Sequence, residues 1–409
     1  MNDVAPHIVL LDLYSQGHHR SYLEILLSYW IASEPTGQLT VLTTTSFAQT
    51  HPDFNEAWGH LLPGQLHLRT LGPEVIIDEN GSGVRHLLDA DKMHGLAIEE
   101  AICLKPSHLV CMYLDHAQRA IPRLNDQLDK AKIAVSGILF RPTFHYPKRG
   151  VISWIRAARK KWFLVSLLKS PALKTVFSLD PYAVAGMNKM ADQNKACVLP
   201  DGTTHESADQ SPESLRKYLD IGPSKSVLLF FGILSHRKGI FESIKALKQL
   251  PKETAAGTVF LLVGRPNQAD AAELEKQLIE LQKVMRVIHI SKYVSESRMS
   301  ALFQACDLIL APYQHHVGSS GVLIRAARAG KPVVGSNYGL VGSNIRDHKL
   351  GLAIDSTRPA AISDAIINIL TGENTGFDVS ASSAYAADNT GPKMADRLFK
   401  CLSNQNMSS

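Results

Sequence analysis

Short apolar runs alternate along this chain with stretches of helical periodicity, and this alternation limits the fold more than any other feature of the sequence. Five apolar runs of the second half show this alternation: residues 227–232, 258–264, 287–290, 307–312 and 332–336. Of these, the run at 227–232 is continuously apolar, which is typical of a strand buried on both faces of a parallel sheet. Helical stretches between the five runs predict a doubly wound sheet, in which ligands bind at the carboxyl ends of the strands.

The first half repeats this order more loosely. Its apolar runs are residues 7–13, 39–43, 109–114, 133–136 and 175–178. A polar, turn-rich stretch at 200–212 is typical of a linker. The 409 residues exceed one ordinary core, which favours two α/β domains. We place these domains at 1–205 and 206–380, followed at 381–409 by a tail helix that returns to the first domain.

Composition narrows the class of protein. Apolar residues make up 45% and charged residues 20% of the chain, which is typical of a globular protein and not of a disordered one. A net charge of +5 does not indicate a nucleic-acid partner. The five cysteines are scattered without a CxxC pair, as expected for free thiols in a reducing compartment. The first residues lack a basic signal-peptide segment, and no apolar run reaches membrane-spanning length, so we expect a cytoplasmic location.

A glycine–serine loop gives the clearest signal of a binding site. Gly318-Ser-Ser-Gly321 follows an apolar strand and directly precedes a helical stretch. The first turn of a helix has unpaired N–H groups and the positive end of the helix dipole, so Ser319, Ser320 and Gly321 suit a phosphate or diphosphate. A tight turn that needs glycine only for its backbone angles is the alternative.

A basic loop after the first strand of the same half is the second signal. Arg237 and Lys238 stand just before Gly239, at the carboxyl end of the strand at 227–232. Two adjacent cations there are suited to hold a diphosphate, although a solvated basic loop would have the same sequence. Two phosphate-suited loops on one sheet favour the functional interpretation over the structural one.

These motifs, taken in order, are similar to those of the retaining GT-B glycosyltransferases of family four. The matching segments are Phe231-Gly232 with Arg237-Lys-Gly239, Phe260-Leu-Leu-Val-Gly264, Ala305-Cys-Asp-Leu-Ile-Leu-Ala-Pro312 and Ala326-Ala-Arg-Ala-Gly-Lys-Pro-Val-Val334. The resemblance covers residues 227–355 well and the first half loosely. It implies two Rossmann-like domains facing a central cleft. The first would be the acceptor side and the second would bind the nucleotide sugar.

The resemblance also implies roles for residues of the second half. Lys238 would bind the donor diphosphate and help catalysis, with Arg237 in support. The loop Ser319, Ser320 and Gly321 would complete the phosphate site. Gly264, and the main chain near Val294, would lie on the donor side, the latter beside the base.

The family's pair of glutamates is replaced in this chain. Relatives carry two glutamates eight residues apart, at positions that here hold Val317 and Arg325. An arginine cannot accept the hydrogen bonds of ribose hydroxyls. We therefore expect a different contact scheme, with Arg325 near the phosphates, and a protein that has lost activity is the alternative.

Five residues of the first half complete the predicted site. Gly17 and His18 lie between the first strand and the first helix, where the family has a glycine-rich loop facing the donor. His145, in Thr-Phe-His, resembles a family histidine that stabilises the departing charge. Arg141 and His116 are candidates for the acceptor. Ordinary turn histidines are the competing explanation.

A basic, aromatic segment follows these residues. Between 147 and 179 there is no Asp or Glu, and the cations are Lys148, Arg149, Arg156, Arg159, Lys160, Lys161, Lys169 and Lys174. Interleaved tryptophans and aliphatic residues favour either attachment to an anionic membrane surface through 148–174 or a helix with one solvated basic face. Peripheral attachment to the inner face of the membrane thus stays open.

The residues together predict an enzyme that moves a sugar from a nucleoside-diphosphate sugar to a hydroxyl of a glycan or lipid-linked acceptor. No metal or cofactor is expected, since no Cys/His or acidic cluster has ligand spacing and the nucleotide sugar is a substrate. Two alternatives are a non-catalytic GT-B protein that binds nucleotide, sugar or a partner glycosyltransferase, and a sugar-nucleotide 2-epimerase.

Overall fold

The structure, a computed structural model, describes residues 6–78, 83–147 and 151–406. The chain divides into two compact units. Unit 1 comprises Met1–Gly202 and Gly391–Ser409, and unit 2 comprises Thr203–Thr390. Among the described residues no helix combines the length and the apolar character that a membrane crossing requires.

Unit 1 contains seven strands and, before the linker, eight helices among its described residues. The strands are β1 His7–Asp12, β2 Gln38–Thr43, β3 Leu66–Thr70, β4 His108–Cys111, β5 Ala134–Leu139, β6 Leu173–Ser178 and β7 Ala196–Val198. The helices are α1 His19–Ala32, α2 Thr45–Thr50, α3 Asp53–Trp58, α4 Gly83–Cys103, α5 Ala120–Arg123, α6 Asn125–Lys130, α7 Val151–Leu168 and α8 Pro181–Ala191.

The seven strands form one parallel sheet in the order β3-β2-β1-β4-β5-β6-β7. Alternate side chains of each strand enter different cores. On β1, Val9 and Leu11 join one buried cluster, whereas Ile8 and Leu10 join the other. Burying a side chain of this size contributes about 1.5–3 kcal/mol, which explains why apolar residues predominate in these strands.

The described residues of unit 2 form six strands, which alternate regularly with helices. The strands are β8 Ser226–Phe231, β9 Thr258–Val263, β10 Arg286–Ile290, β11 Leu308–Ala311, β12 Val333–Ser336 and β13 Gly351–Ile354. The helices are α9 Pro212–Tyr218, α10 Ile240–Leu247, α11 Lys252–Gly257, α12 Ala271–Gln282, α13 Glu296–Ala305, α14 Gly321–Arg328, α15 Gly339–Asp347, α16 Pro359–Thr371 and α17 Val379–Asp388.

The six strands of unit 2 are parallel in the order β10-β9-β8-β11-β12-β13. In both sheets the first strand of the unit lies inside the sheet, and the strand order reverses beside it. β8 and β11 are neighbours at this point of unit 2. Doubly wound sheets bind ligands at the carboxyl ends of such strands, which here carry the basic loop and the glycine–serine loop. The predicted pair of doubly wound sheets is therefore present.

The last helix, α18 Gly391–Asn406, belongs to unit 1. It packs on α1, where Tyr29 Oη donates to Asp396 Oδ1 at 2.7 Å and the Phe399 ring stacks on Tyr29 at 5.8 Å. The predicted boundaries were 205/206 and 380/381. In the structure the chain enters unit 2 at Thr203 and leaves it at Thr390.

One helix, α17, lies in a polar stretch of the sequence, residues 371–389. Its residues are mostly Ser and Ala, so the apolar periodicity is weak. Two features form it nevertheless. The Asp378 carboxylate caps it by accepting from Ala381 N at 2.9 Å, and Tyr385 and Ala386 are buried in the core.

Candidate functional site

Lys238 lies at the centre of the candidate site of unit 2. A single helical turn, His236–Lys238, follows β8, and Gly239 then opens α10 with a positive φ of 78°. A Cβ at Gly239 would stand 2.1 Å from Pro312 O, so glycine lets this loop pass close to the end of β11. Lys238 Nζ donates to Tyr313 Oη at 2.8 Å and lies 4.1 Å from the centre of that ring.

Tyr313 connects the two predicted phosphate loops. Its hydroxyl lies 2.9 Å from Ser320 Oγ, and its ring is buried. Ser320 directly precedes α14 and makes no side-chain capping bond with that helix. The predicted residues Lys238 and Ser320 thus meet through a tyrosine that the sequence did not single out. Its position after a buried strand made it look like a core residue.

Arg237 approaches the same loop from its other side. Its Nη1 lies 3.4 Å from His316 Nδ1, and its carbonyl oxygen accepts from Gln314 N at 2.9 Å. His316 Nε2 lies 3.2 Å from Ser319 O. Both cations of the basic loop therefore contact the segment that leads to α14.

Gly264 stands at the end of β9, beside Gly232 at the end of β8. Its φ is 140°, and a Cβ would lie 1.9 Å from Gly232 O. Only glycine fits there, which explains the Val-Gly pattern without a ligand. Val294 is partly buried against the core, whereas the neighbouring Tyr293 is 85% exposed.

Arg325 makes its hydrogen bonds with residues other than Lys238, Tyr313 and Ser320. Its Nη1 and Nη2 donate to the two carboxylate oxygens of Glu296 at 2.8 and 3.1 Å, and Nη1 also reaches Thr204 O at 3.3 Å. A bidentate pair of this kind fixes the guanidinium. A role for Arg325 beside the donor phosphates stays a prediction, and it would have to compete with Glu296.

Gly17 and His18 precede α1 in unit 1. Gly17 has a φ of 77° with open space around a Cβ. The His18 ring lies between Phe140, at 4.5 Å, and His19, at 4.6 Å, and its Nε2 is buried with no hydrogen-bond partner among the described residues. Burial, and then the charges of His19 and Arg141, lower the pKa of His18 to about 3. The ring is therefore neutral at physiological pH.

His145 ends a short helical turn after β5. Its Nε2 lies 3.1 Å from Asp180 Oδ2. The Asp180 side chain is fully buried, accepts from Tyr146 Oη at 2.5 Å and caps α8 through Tyr182 N. Both ring nitrogens of His145 are nevertheless buried without a hydrogen-bond partner among the described residues.

The two predicted acceptor residues lie in one cluster at the carboxyl ends of β4 and β5. Asp115 accepts from the backbone N–H groups of Phe140 and Arg141 at 2.8 and 3.0 Å. The Arg141 guanidinium donates to Tyr113 Oη. Burial raises the pKa of Asp115, against the opposing effect of Arg141.

His116 and Tyr14 form the other part of this cluster. Tyr14 Oη lies 2.5 Å from His116 Nδ1. Burial, followed by the charges of His94 and Arg141, lowers the pKa of His116 to about 3. Tyr14 Oη thus faces a neutral imidazole. The sequence missed Tyr14, Tyr113 and Asp115, because no motif marks residues that meet only through the fold.

The basic segment forms α7. Lys148 and Arg149, like the side chains of Val151 and Ile152, lie outside the described residues. Leu164, Leu167 and Leu168 face the core of unit 1. The other face is in solvent, and Trp154 and Trp162 are both 66% exposed.

Residues 212–384 match the family model described as Glycosyl transferases group 1. Three relatives are similar to parts of the chain. They are the lipopolysaccharide 1,2-N-acetylglucosaminetransferase of Salmonella typhimurium (28% identity, 42% of this chain, 45% of the relative), the 2-deoxystreptamine N-acetyl-D-glucosaminyltransferase of Niallia circulans (26%, 56%, 62%) and the lipopolysaccharide glucosyltransferase WaaG of Escherichia coli (32%, 34%, 35%). These matches span about a third to three fifths of the relatives' own length.

Solved structures resemble the whole chain. HepE from Anabaena, in complex with UDP and glucose, covers 98% of this chain and is itself covered completely, with a TM-score of 0.66 at 17% identity. WaaG covers 95% with a TM-score of 0.58, again at 17% identity. Both sheets and their helices are therefore those of the GT-B glycosyltransferase fold, and residues 212–384 of this chain are similar to the Glycosyl transferases group 1 family.

Proposed function

We propose that this chain is an enzyme that moves a sugar from a nucleoside-diphosphate sugar to a hydroxyl of a glycan or lipid-linked acceptor, with retention and without a metal ion. One observation carries the proposal. Lys238, Tyr313 and Ser320 form a hydrogen-bonded chain that joins the carboxyl ends of β8 and β11 to the first turn of α14.

This chain suits a diphosphate for a physical reason. The first turn of α14 has backbone N–H groups without intrahelical partners, and the helix dipole adds positive potential there. Lys238 supplies a full positive charge to the same place. As the bond to the sugar breaks, negative charge grows on the departing diphosphate, and fixed positive groups stabilise that charge most. Arg237, whose guanidinium lies beside His316, would add a second positive charge near the departing diphosphate.

Similar proteins favour UDP as the first nucleotide to test. The HepE complex contains UDP and glucose, and WaaG is described as a glucosyltransferase. For this chain the sugar and the base are inferences from those proteins.

The groups of unit 1 would act on the sugar and the acceptor. His145, which lies beside Asp180, would stabilise the developing charge near the sugar. His18 and Gly17 would contact the donor sugar, with His18 as a neutral imidazole because of its lowered pKa. Arg141 and His116 would orient the acceptor hydroxyl, and Arg141 favours an acceptor that carries negative charge.

Thermal shifts with UDP, GDP, ADP and TDP, followed by donor hydrolysis, test the proposal. We expect one nucleoside diphosphate to raise the melting temperature, and its sugar conjugate to be hydrolysed slowly without an acceptor. A lack of both effects would contradict the enzyme. Recovery of an isomerised donor instead of free sugar would assign an epimerase.

A non-catalytic GT-B protein is the second candidate, and the pairing of Arg325 with Glu296 favours it. That pair occupies the region where relatives are expected to use a glutamate. If a nucleotide binds and no donor is consumed with any acceptor fraction, the binding protein is the better assignment. Glu296→Gln sharpens the test, because freeing Arg325 should strengthen diphosphate binding if this arginine can reach the phosphates.

The exposed face of α7 supports a further part of the proposal, attachment to an anionic membrane surface. It presents Trp154, Ile155 and Trp162, exposed by 66, 58 and 66%, among lysines and arginines. Such aromatic and cationic side chains favour the interface of anionic lipids. Vesicles that contain the anionic lipid phosphatidylglycerol should bind the chain. The double replacement of Trp154 and Trp162 by Ala should abolish binding, and equal binding to neutral vesicles would contradict attachment through charge.

A further inference from the structure

A small pocket between α13 and α14 of unit 2 lies apart from Lys238. Its volume is about 60 Å³. Polar and charged side chains dominate its lining, which includes His205, Ser300, Phe303, Gln304, Arg325 and Arg328. A buried water molecule needs about 10–15 Å³ on this measure, so the pocket has room for a tetrahedral oxyanion.

The two arginines of the pocket differ in their partners. Arg325 is neutralised by its bidentate pair with Glu296. Arg328 donates from Nη2 to Thr203 Oγ1 at 3.2 Å, and its Nη1 is buried with no hydrogen-bond partner among the described residues. No carboxylate of those residues lies within ion-pair distance of Arg328. The pocket thus contains one cation with a buried donor left unpaired and no ion pair in the described part of the chain, on which Glu296 acts only through its charge.

An orphaned guanidinium donor is unusual, because a buried polar group without a partner costs free energy. Burial, followed by the charge of Arg325, lowers the pKa of Arg328. An entering anion would remove both costs, since it accepts the free N–H and neutralises the charge. A guanidinium fork matches the oxygen spacing of phosphate.

His205 also belongs to the lining, and the charges of both arginines act on its pKa. Burial, then Arg328 and Arg325, lower its pKa, and Glu296 opposes that shift. Gln304 offers amide N–H donors, whereas the Ser300 hydroxyl already donates to Glu206 O at 2.8 Å. The pocket therefore holds several donors and a histidine that would gain a proton as negative charge arrives.

From this cluster we infer that the pocket is a binding site for a phosphate group, with Arg328 Nη1 as its principal donor and His205 and Gln304 as secondary contacts. The phosphate could be free inorganic phosphate or a phosphate of a bound nucleotide. The site uses none of Lys238, Tyr313 and Ser320, so it does not depend on the proposed sugar transfer.

Titration of the histidine ring protons by NMR tests the site, with His205→Gln used to identify the His205 signal. Inorganic phosphate should raise the pKa of His205 by about one unit in the unmodified protein, because an added negative charge favours the protonated ring. Arg328→Gln should abolish this response, and Arg328→Lys should weaken it. Arg286→Gln, which changes an exposed arginine at the other end of the sheet, should respond like the unmodified protein.

Two further results decide the source of the phosphate. If UDP shifts the His205 signal in Lys238→Ala and inorganic phosphate competes with it, the pocket takes a phosphate of the nucleotide. If only inorganic phosphate shifts the signal, the pocket takes the free ion. The assignment is overturned if neither compound moves the His205 signal, or if Arg328→Gln, shown folded by its circular dichroism, responds like the unmodified protein.

Discussion

The candidate sites of the two units are built in opposite ways. In unit 2 a half-buried cation, Lys238, is joined by two hydrogen bonds to a helix start, and two loops that the sequence motifs marked form the site. In unit 1 the candidate residues lie in a buried cluster of tyrosines and histidines. The rings of Tyr14, Tyr113 and His116 lie 4.9–5.9 Å apart. An open cationic site suits a charged donor, whereas a cluster of packed rings suits the positioning of a sugar or hydroxyl.

The contrast extends to protonation. Unit 1 holds four histidines that burial keeps neutral, with pKa values lowered to about 3 for His18 and His116 and to about 4 for His94 and His108. In unit 2 the two histidines with lowered pKa values, His205 and His348, are exposed or half-buried. Acid should therefore act on unit 1 first.

Mild acid provides the largest expected effect. A histidine whose pKa is lowered on folding stabilises the folded state above about pH 6.5, and this contribution is lost as the pH falls toward the folded value. At pH 5 each of the four histidines lowers the free energy of unfolding by about 2 kcal/mol. Together these losses approach the total stability of a domain. All four tryptophans, Trp30, Trp58, Trp154 and Trp162, lie in unit 1, so their fluorescence reports on this unit.

We therefore expect a fluorescence transition between pH 6.5 and 4. His108→Gln should move its midpoint to lower pH, because glutamine stays neutral and can still bond to Ser136, whose Oγ lies 2.9 Å from His108 Nε2. His289→Gln in unit 2 is the matched control. A midpoint unchanged by His108→Gln would show that this histidine is not neutral in the folded state.

Lys238→Ala provides the next effect, on the open site of unit 2. Removal of the amine should weaken nucleoside-diphosphate binding about 100-fold, equivalent to about 2.7 kcal/mol, and abolish the thermal shift. Lys245→Ala, at an exposed position of α10, is the control and should bind normally. Calorimetry provides the measurement. Unchanged binding in Lys238→Ala would remove the diphosphate from this loop.

The contrast between the units also explains what the sequence could predict. The strands of unit 2 follow their apolar runs closely, and α13 begins where Ser295 caps it, accepting from Arg298 N at 3.2 Å. Continuous burial and local caps are encoded within a few residues. The loops at Lys238 and Gly321 were predictable for the same reason.

Contacts between distant residues were not predictable. Tyr14 meets His116 across 102 positions, and Arg325 meets Glu296 across 29. Nothing near Tyr14 in the sequence distinguishes it from an ordinary core tyrosine. The Arg325 pair needs the register of α13 against α14, which follows only from the packed structure.

Gly264→Ala tests whether a motif glycine of unit 2 serves the backbone. The new Cβ would stand 1.9 Å from Gly232 O at a φ of 140°, so we expect the free energy of unfolding to fall by about 2 kcal/mol. Hydrogen exchange of the β8 and β9 peptides should rise. Gly257→Ala, with nothing within 4 Å of its Cβ, is the neutral control. Equal stability of the two variants would leave the Val-Gly pattern to be explained by a ligand.

Tyr313→Phe provides the smallest expected effect. It separates the effect of the Lys238 charge from the effect of the hydrogen-bonded link between Lys238 and Ser320. The ring and its contact with Lys238 remain, but the hydroxyl that joins Lys238 to Ser320 is lost. Nucleotide affinity should fall about tenfold, the effect of one hydrogen bond to a charged group. Calorimetry with Lys238→Ala and the double variant decides the matter. If the hydroxyl acts by positioning the amine, adding Tyr313→Phe to Lys238→Ala should have no further effect. Additive losses would mean that Tyr313 contacts the nucleotide by itself.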